Sequence, residues 1–371
     1  MLKHRDTDDL NNAVRRFRGP KYDFIGLVNA SSPSDEVWTG TNSAGFCIMN
    51  TASYNIKDDD VPADRMDREG KLMYVALGLC MTLSDFETVL DTLPRPLGVE
   101  ANFGVMDADG GAAYYEVNNH GWVKFDVAAS EAGYRVVTNF SESGRPEDRL
   151  GYERYLTASS IMSGLMSSEK ADINHTVLFG NVSRSYRHEL LGLDLNEGRG
   201  LTDTGLAVDQ DFIPRRITSA SIVLEGVAPG EDPHHTVMWT ILGYPGCGAA
   251  VPLMVGESDI LPEYVLPAED GGHSRICDVS MHVKDSFVFR FNVSNGSRYF
   301  DALALLKGRD GRPALLDCCR SAEKAINEKF DGIYSEWVSG NIGDKEFYGA
   351  YSLLTPSFYD EYLSNFAVFL K

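Results

Sequence analysis

The chain reads as a layered α+β protein in which antiparallel sheets are covered by helices. Three observations predict this. Short β-rich runs dominate the first 140 residues, two helical segments interrupt them, and two strong strands followed by two long helices complete the chain. No repeat, linker or low-complexity tract separates domains. The 371 residues are therefore expected to form a single domain, with a core over about 1–300 and a helical extension over about 301–371.

The elements follow in order. Tyr22–Val28 and Gly45–Asn50 are apolar runs that read as buried strands. The 3.6-residue spacing over Arg68–Cys80 predicts a helix. A second helix, Asp85–Leu93, is expected to be capped by Ser84 and stopped by Pro94 and Pro96. Ala101–Met106, Ala112–Val117 and Trp122–Val127 predict a meander, with Asp107-Ala108-Asp109-Gly110-Gly111 as its first turn. That turn is not a calcium loop, because its twelfth position is Asn118 rather than Glu. Tyr134–Thr138 predicts a further strand, and a helix is expected from near Pro146 to Leu165. Ile217–Val227 and Thr236–Leu242 alternate as strands, residues 257–280 are loop-like, and Ala314–Gly340 and Lys345–Leu370 are helical. Trp337, Phe347, Tyr351 and Phe366 are the packing residues expected on those last helices.

Composition narrows the function classes. Hydrophobic residues make up 43% and charged residues 24%, as in ordinary soluble globular proteins. A net charge of −20 argues against a nucleic-acid partner, which needs Lys and Arg to neutralise phosphates. No apolar run is long enough to span a bilayer, no membrane partner is expected, and Met1 is followed by charged residues rather than by a signal segment. Cys47, Cys80, Cys247, Cys277, Cys318 and Cys319 form no CxxC pair and no zinc pattern, so no metal is expected. Sequons such as Asn174-His175-Thr176 and Asn295-Gly296-Ser297 carry no weight without a secretory signal. Homo-oligomerisation and compartment stay open.

Four segments carry chemistry. The first is Lys3-His4-Arg5-Asp6, which taken alone is a solvated tail. Asn42-Ser43-Ala44-Gly45-Phe46 is the second, followed by Met49-Asn50-Thr51-Ala52. An asparagine inside a strand, as at Asn50, needs a hydrogen-bonding reason. The third, Arg135-Val136-Val137-Thr138-Asn139-Phe140, ends in another asparagine. The fourth is Asp148-Arg149-Leu150-Gly151-Tyr152-Glu153-Arg154-Tyr155, whose arginines alone would be surface ion-pair formers. Glu116 joins them as a carboxylate within an apolar strand.

Together these segments resemble the cysteine N-terminal-nucleophile (Ntn) hydrolases of the choloylglycine hydrolase and penicillin acyl-transferase group. Ala101–Asp107 and Thr236–Pro245 also resemble members of that group, so the likeness touches roughly residues 1 to 255. The resemblance implies a four-layer αββα sandwich and hydrolysis or acyl transfer at a linear amide through an acyl-enzyme, with a small-molecule amide as substrate and no cofactor. It implies that Asp6 orients a nucleophile's amino group, that Asn50 and Asn139 donate to the oxyanion, and that Arg154 lies beside the reacting group. Asn42, Arg149 and Glu116 are the substrate-binding candidates. Such enzymes use a cysteine whose own α-amine is the base, and no cysteine precedes Lys3. Three explanations stand. The leading one is a truncation that removed the nucleophile's strand. The others are a catalytically inactive binding protein on the same scaffold, and use of another cysteine, of which Cys47 alone is near the motifs. As written, the chain is expected to be inactive.

Overall fold

The alternating pattern of the N-terminal third builds a seven-stranded antiparallel sheet. The computed structural model describes residues 1–371 apart from 32–34, 58–59, 169–171, 257–259, 270 and 292–297. After β1 (Leu2–Asp6), the chain runs through β2 (Asn12–Arg18), β3 (Asp23–Asn29), β4 (Thr39–Asn42) and β5 (Cys47–Ala52). Helices α1 (Glu69–Leu79) and α2 (Leu83–Thr92) intervene before the meander β6 (Ala101–Met106), β7 (Ala112–Val117) and β8 (Trp122–Asp126). Strands β2 to β8 pair in sequence order. One face of this sheet buries Phe24, Ile48 and Phe103 against Leu72, Met73, Leu77 and Phe86 of α1 and α2.

The opposite face meets a second sheet. Helix α3 (Tyr152–Met166) and the short α4 (His175–Leu178) precede the two-residue strands β9 (Arg187–His188) and β10 (Leu193–Asp194), which pair together. Next come β11 (Leu206–Val208), β12 (Thr218–Glu225), β13 (Val237–Leu242) and β14 (Val251–Leu253). The second sheet has the order β1-β12-β13-β14, all antiparallel. Its Ala220, Ile222 and Leu224 join Val14, Ile25, Leu27 and Cys47 of the first sheet in one core.

The outer face of the second sheet is covered by the C-terminal helices. After α5 (Arg275–Val283), β15 (Tyr299–Asp301) pairs with β11, and α6 (Ala302–Leu306) leads into α7 (Leu315–Val338) and α8 (Asp344–Phe366). Trp239 of β13 meets Phe330 of α7 edge-on at 5.4 Å, and the Tyr351 and Tyr362 hydroxyls donate to the Pro252 and Cys247 carbonyls. Two stacked antiparallel sheets between helical layers is the αββα arrangement, with a helical C-terminal section.

Several expectations are corrected in detail. Strands β2 and β4 were not foreseen, since their polar and small residues hide the alternation. Helix α2 starts two residues earlier, with Thr82 and Asp85 forming a reciprocal capping box in place of Ser84. Tyr134–Thr138 joins no ladder; side chains hold it instead, as Asn102 Nδ2 and the Thr51 hydroxyl donate to the Thr138 carbonyl. Helix α3 begins at Tyr152 rather than near Pro146, and α5 occupies part of the segment read as loop. Asn295-Gly296-Ser297 lies outside the described residues.

Candidate functional site

β1 sets the site through its period-2 alternation. Lys3 and Arg5 point toward the seven-stranded sheet, where Lys3 Nζ donates to the Asn50 carbonyl at 2.5 Å and to Asn50 Oδ1 at 2.7 Å. Arg5 Nη2 donates to Asn29 Oδ1 at 2.6 Å, Arg5 Nη1 donates to Asn12 Oδ1, and the guanidinium lies 4.9 Å from the Trp38 ring centroid. His4 and Asp6 point along β12. A register shift follows Arg5, which is opposite Ala220, so that Asp6 is opposite Thr218. Such a bulge re-aims a side chain, and here it brings the Asp6 carboxylate to Thr218 Oγ1 at 2.6 Å and to Arg215 Nε at 3.0 Å, with Arg215 Nη2 also donating.

This network fixes protons. Thr218 Oγ1 gives its single hydrogen to Asp6, so it accepts from the other side, from the Arg215 backbone N–H and from His4 Nε2 at 3.2 Å. His4 is then the neutral Nε2–H tautomer, and Nδ1 accepts from Ser221 Oγ at 2.9 Å. Burial pushes His4 down to about 4; the Arg154 and Arg215 charges act the same way and Asp6 opposes them. For Asp6, burial would raise the carboxyl, but coupling to His4 once that ring is protonated, the Arg215 charge and the Thr218 hydrogen bond hold it below its usual range. Burial, with the neighbouring Arg5 charge, drives Lys3 well below the ordinary lysine range.

Lys3, His4 and Asn50 line a cavity of about 400 Å3 between the sheets, closed by residues 133–138, by Arg154, Ala158 and Met162 of α3, and by Ile173, Leu178 and Val182. Its surface is mostly apolar. Because lysine only donates, the atom of Asn50 facing Lys3 must be its oxygen. The amide nitrogen of Asn50 has no protein partner among the described residues. Arg154 Nη2 donates to Asn139 Oδ1 at 2.8 Å, while Arg154 Nε is buried without a partner. Gly151 makes room for this contact: its φ is +81° and a Cβ there would lie 2.6 Å from Arg154 Nη2. Burial and then the Arg215 charge lower Arg154.

A second cavity, of about 340 Å3, shares Tyr114, Arg135, Val136 and Val137 with the first. Glu116 and Arg149 line it. The Glu116 carboxylate accepts from the Glu142 N–H at 2.6 Å and the Ser143 N–H at 2.8 Å, and from the Ser143 hydroxyl, so it anchors that loop. Arg149 stacks 5.5 Å from the Phe140 ring centroid.

The sequence candidates thus divide. Asn50 and Arg154 are on the wall of the larger cavity, and Glu116 and Arg149 on that of the smaller. Asp6 is one side chain behind the larger cavity, acting on its wall through His4. Asn139 lines neither: its Nδ2 donates to Thr51 Oγ1 at 3.3 Å and the Ala52 carbonyl at 3.1 Å, and its Oδ1 receives Arg154, so its amide is occupied. Asn42 also lines neither and is fully buried. Its Nδ2 donates to the Leu77 and Cys80 carbonyls and its Oδ1 accepts from the Ala44 and Phe46 N–H groups, pinning the β4–β5 turn to α1. Sequence reasoning missed Arg215, Thr218 and Tyr114. The Arg215-Arg216 pair at the head of a strong strand was the available signal.

No described cysteine lines either cavity. Cys47 is fully buried with Sγ 3.3 Å from Thr41 Oγ1, and burial pushes its thiol up to about 11. Burial also raises the other five thiols. Among the described residues no group of three or more His, Cys, Asp or Glu is placed to hold a metal ion, and no helix is long and apolar enough to cross a membrane.

No family model and no curated protein matches the chain. Among solved structures it is similar to penicillin V acylase from Agrobacterium tumefaciens, at 15% identity over 70% of this chain and 83% of that one, with a TM-score of 0.40. It is also similar to the Caenorhabditis elegans ortholog of N-acylethanolamine-hydrolyzing acid amidase, at 12% identity over 62% and 86%, with a TM-score of 0.40. A mutant of the conjugated bile acid hydrolase from Clostridium perfringens is similar at 11% identity over 70% and 89%, with a TM-score of 0.41.

Proposed function

We propose that this chain carries the substrate cavity and carbonyl-orienting groups of a linear amide hydrolase or acyltransferase of the cysteine Ntn type. The observation that carries the reading is Asn50. Its oxygen is held by Lys3, its amide N–H groups are left for a ligand, and it stands on the wall of an apolar cavity. A neutral amide donor fixed before the reaction suits a developing oxyanion, and one such donor is worth about 3–4 kcal/mol of transition-state stabilisation. The Asp6–Thr218–His4 network behind the wall supports the reading, because it holds charge and tautomer fixed in a largely buried site.

A second reading is a non-catalytic binding protein on the same scaffold. One observation favours it: no described cysteine reaches the cavity, and every cysteine thiol is raised. Calorimetric titration with a neutral N-acyl amide and with a carbonyl-free ether of the same length separates the two. Amide affinity that falls about tenfold in Asn50→Ala, with ether affinity unchanged, is expected of a carbonyl-orienting site. Saturable amide binding that Asn50→Ala leaves unchanged would leave only the binding protein.

A further inference from the structure

β1 is an edge strand that runs along the larger cavity. The second sheet has the order β1-β12-β13-β14, so β1 has a strand on one side only. Met1 and Leu224 exchange both backbone hydrogen bonds: the Met1 amine donates to the Leu224 carbonyl at 2.7 Å, and the Leu224 N–H to the Met1 carbonyl at 2.8 Å. Antiparallel ladders alternate bonded and non-bonded pairs. Lys3 opposite Ile222 and Arg5 opposite Ala220 are then bonded pairs, and Leu2 opposite Val223 and His4 opposite Ser221 are not. The N–H and C=O groups of Leu2 and His4 therefore point away from β12, and no described residue hydrogen-bonds them. Met1, Leu2, Lys3 and His4 all line the cavity.

Arg135, Val136 and Val137, elsewhere on the same wall, have the composition of a strand but join no ladder. Their backbone groups make no hydrogen bond among the described residues. Backbone donors and acceptors at a mostly apolar wall need a partner from whatever fills the space. A row of them along a strand edge is a template for another strand. The template from Leu2 to His4 is short, about 7 Å at the rise of an extended chain, which suits a ligand of about three residues. Charge narrows the occupant further. The described lining carries Lys3, Arg135 and Arg154 and no Asp or Glu, inside a chain with a net charge of −20, so an acidic ligand is favoured over a basic one. Met49, Met106, Met162 and Ile173 supply apolar wall, and methionine adapts to irregular apolar shapes.

We propose that the cavity takes a short extended peptide of alternating apolar and acidic side chains, which adds to β1 as a fifth strand of the second sheet. Main-chain hydrogen bonds to Leu2 and His4 hold it, and the alternate side chains meet the apolar and cationic parts of the wall. The proposal names a ligand class for the cavity of the amide-hydrolase reading, and rests on that cavity being the ligand site.

The test is calorimetric titration of the full chain with acetyl-Val-Glu-Val-amide and with acetyl-Val-Lys-Val-amide. Two further forms of the acidic peptide are N-methylated, one at Glu and the other at both Val residues. The acidic peptide is expected to bind about tenfold or more tighter than the Lys peptide. N-methylation that removes donors facing an edge should cost about tenfold. Loss from one methylated form assigns pairing to a single edge, and loss from both assigns a strand held by β1 and residues 135–137 together; both support the proposal. In the protein, Leu2→Pro removes an outward N–H without touching the ladder to β12. It should weaken acidic-peptide binding about tenfold, whereas Leu2→Val should keep it. Should Leu2→Pro fail to fold by circular dichroism, the methylated peptides decide on the wild type. Full affinity in both methylated forms, equal affinity for the Lys peptide, or no binding of the acidic peptide would overturn the proposal. A dimer in sedimentation that Leu2→Pro dissolves would give the edge to a second copy and overturn it too. Backbone-dependent peptide binding, with simple-amide affinity unchanged in Asn50→Ala, would sink the carbonyl-orienting reading alone. An Asn50-dependent amide site that ignores peptide N-methylation would sink this proposal alone.

Discussion

His4 should make the stability of this protein fall between about pH 6.5 and pH 4, and replacing it with Gln should remove that contribution. In the folded chain His4 is neutral, held by Ser221 and Thr218 and pushed down to about 4 by burial, whereas an unfolded histidine titrates near 6.5. Its folded pKa is depressed, so its stabilising contribution is complete above 6.5. The contribution is lost as pH falls, because the unfolded state takes up a proton that the folded state refuses. At about 1.4 kcal/mol per unit, the loss reaches roughly 2.5 kcal/mol by pH 4.5. Asp209 works in the opposite sense. Burial raises its carboxyl to about 6, so it stabilises the fold as pH falls toward its unfolded value. The wild-type profile alone is therefore flattened, and the measurement must be the difference between wild type and His4→Gln. Urea unfolding of both proteins at pH 7.5 and 4.5 supplies it. The gap between them should change by about 2 kcal/mol in favour of the variant on acidification. Equal pH slopes, within about 0.5 kcal/mol, would refute the neutral buried histidine and the proton assignment built on it.

Other outcomes follow from single contacts. Arg184 is 3% exposed and bridges Glu323 of α7 through two hydrogen bonds, at 2.8 and 2.6 Å, so Glu323→Ala should cost about 3–5 kcal/mol by leaving a buried charge unpaired. The paired replacement Arg184→Met/Glu323→Leu should recover most of that loss in the same urea experiment. Asn42→Ala should cost about 2–4 kcal/mol in the same urea experiment, since it strands two carbonyls and two N–H groups in the interior. All six thiols are buried and raised, so a disulfide exchange reagent at pH 8 should label none of them quickly in the native state and all of them after unfolding. Rapid labelling of Cys47 would revive it as a nucleophile.

Much of the architecture was legible because it is local. The β6–β7 hairpin was placed to the residue, since its apolar positions alternate and Gly110 (φ +90°) marks the turn. Helices α7 and α8 were likewise readable from their 3.6-residue spacing. Tyr134–Thr138 misled because a β-branched run has the right composition for a strand, yet its neighbours in space offer side chains rather than a free ladder. The capping of α2 shows the same limit on a smaller scale: Ser84 and Thr82 are both good caps, and only the reach of Asp85 back to Thr82 N–H chose between them.

The site divides along the same line. Sequence by itself determined which residue types were available: two asparagines in motif-like segments, an N-terminal Asp6 and an arginine in a helical run. Tertiary structure decided their duties. Asp6 and Arg215 are 209 positions apart and meet only because β1 pairs with β12 through a bulge. Asn50 keeps its amide nitrogen for the cavity because Lys3 reaches it across the stacked sheets, while Asn139 is spent on holding Thr51 and Arg154. Periodicity is written in neighbouring residues and survives reading in one dimension. A cavity whose described lining carries Lys3, Arg135 and Arg154 and no carboxylate, inside a chain with a net charge of −20, exists only once distant strands are laid face to face.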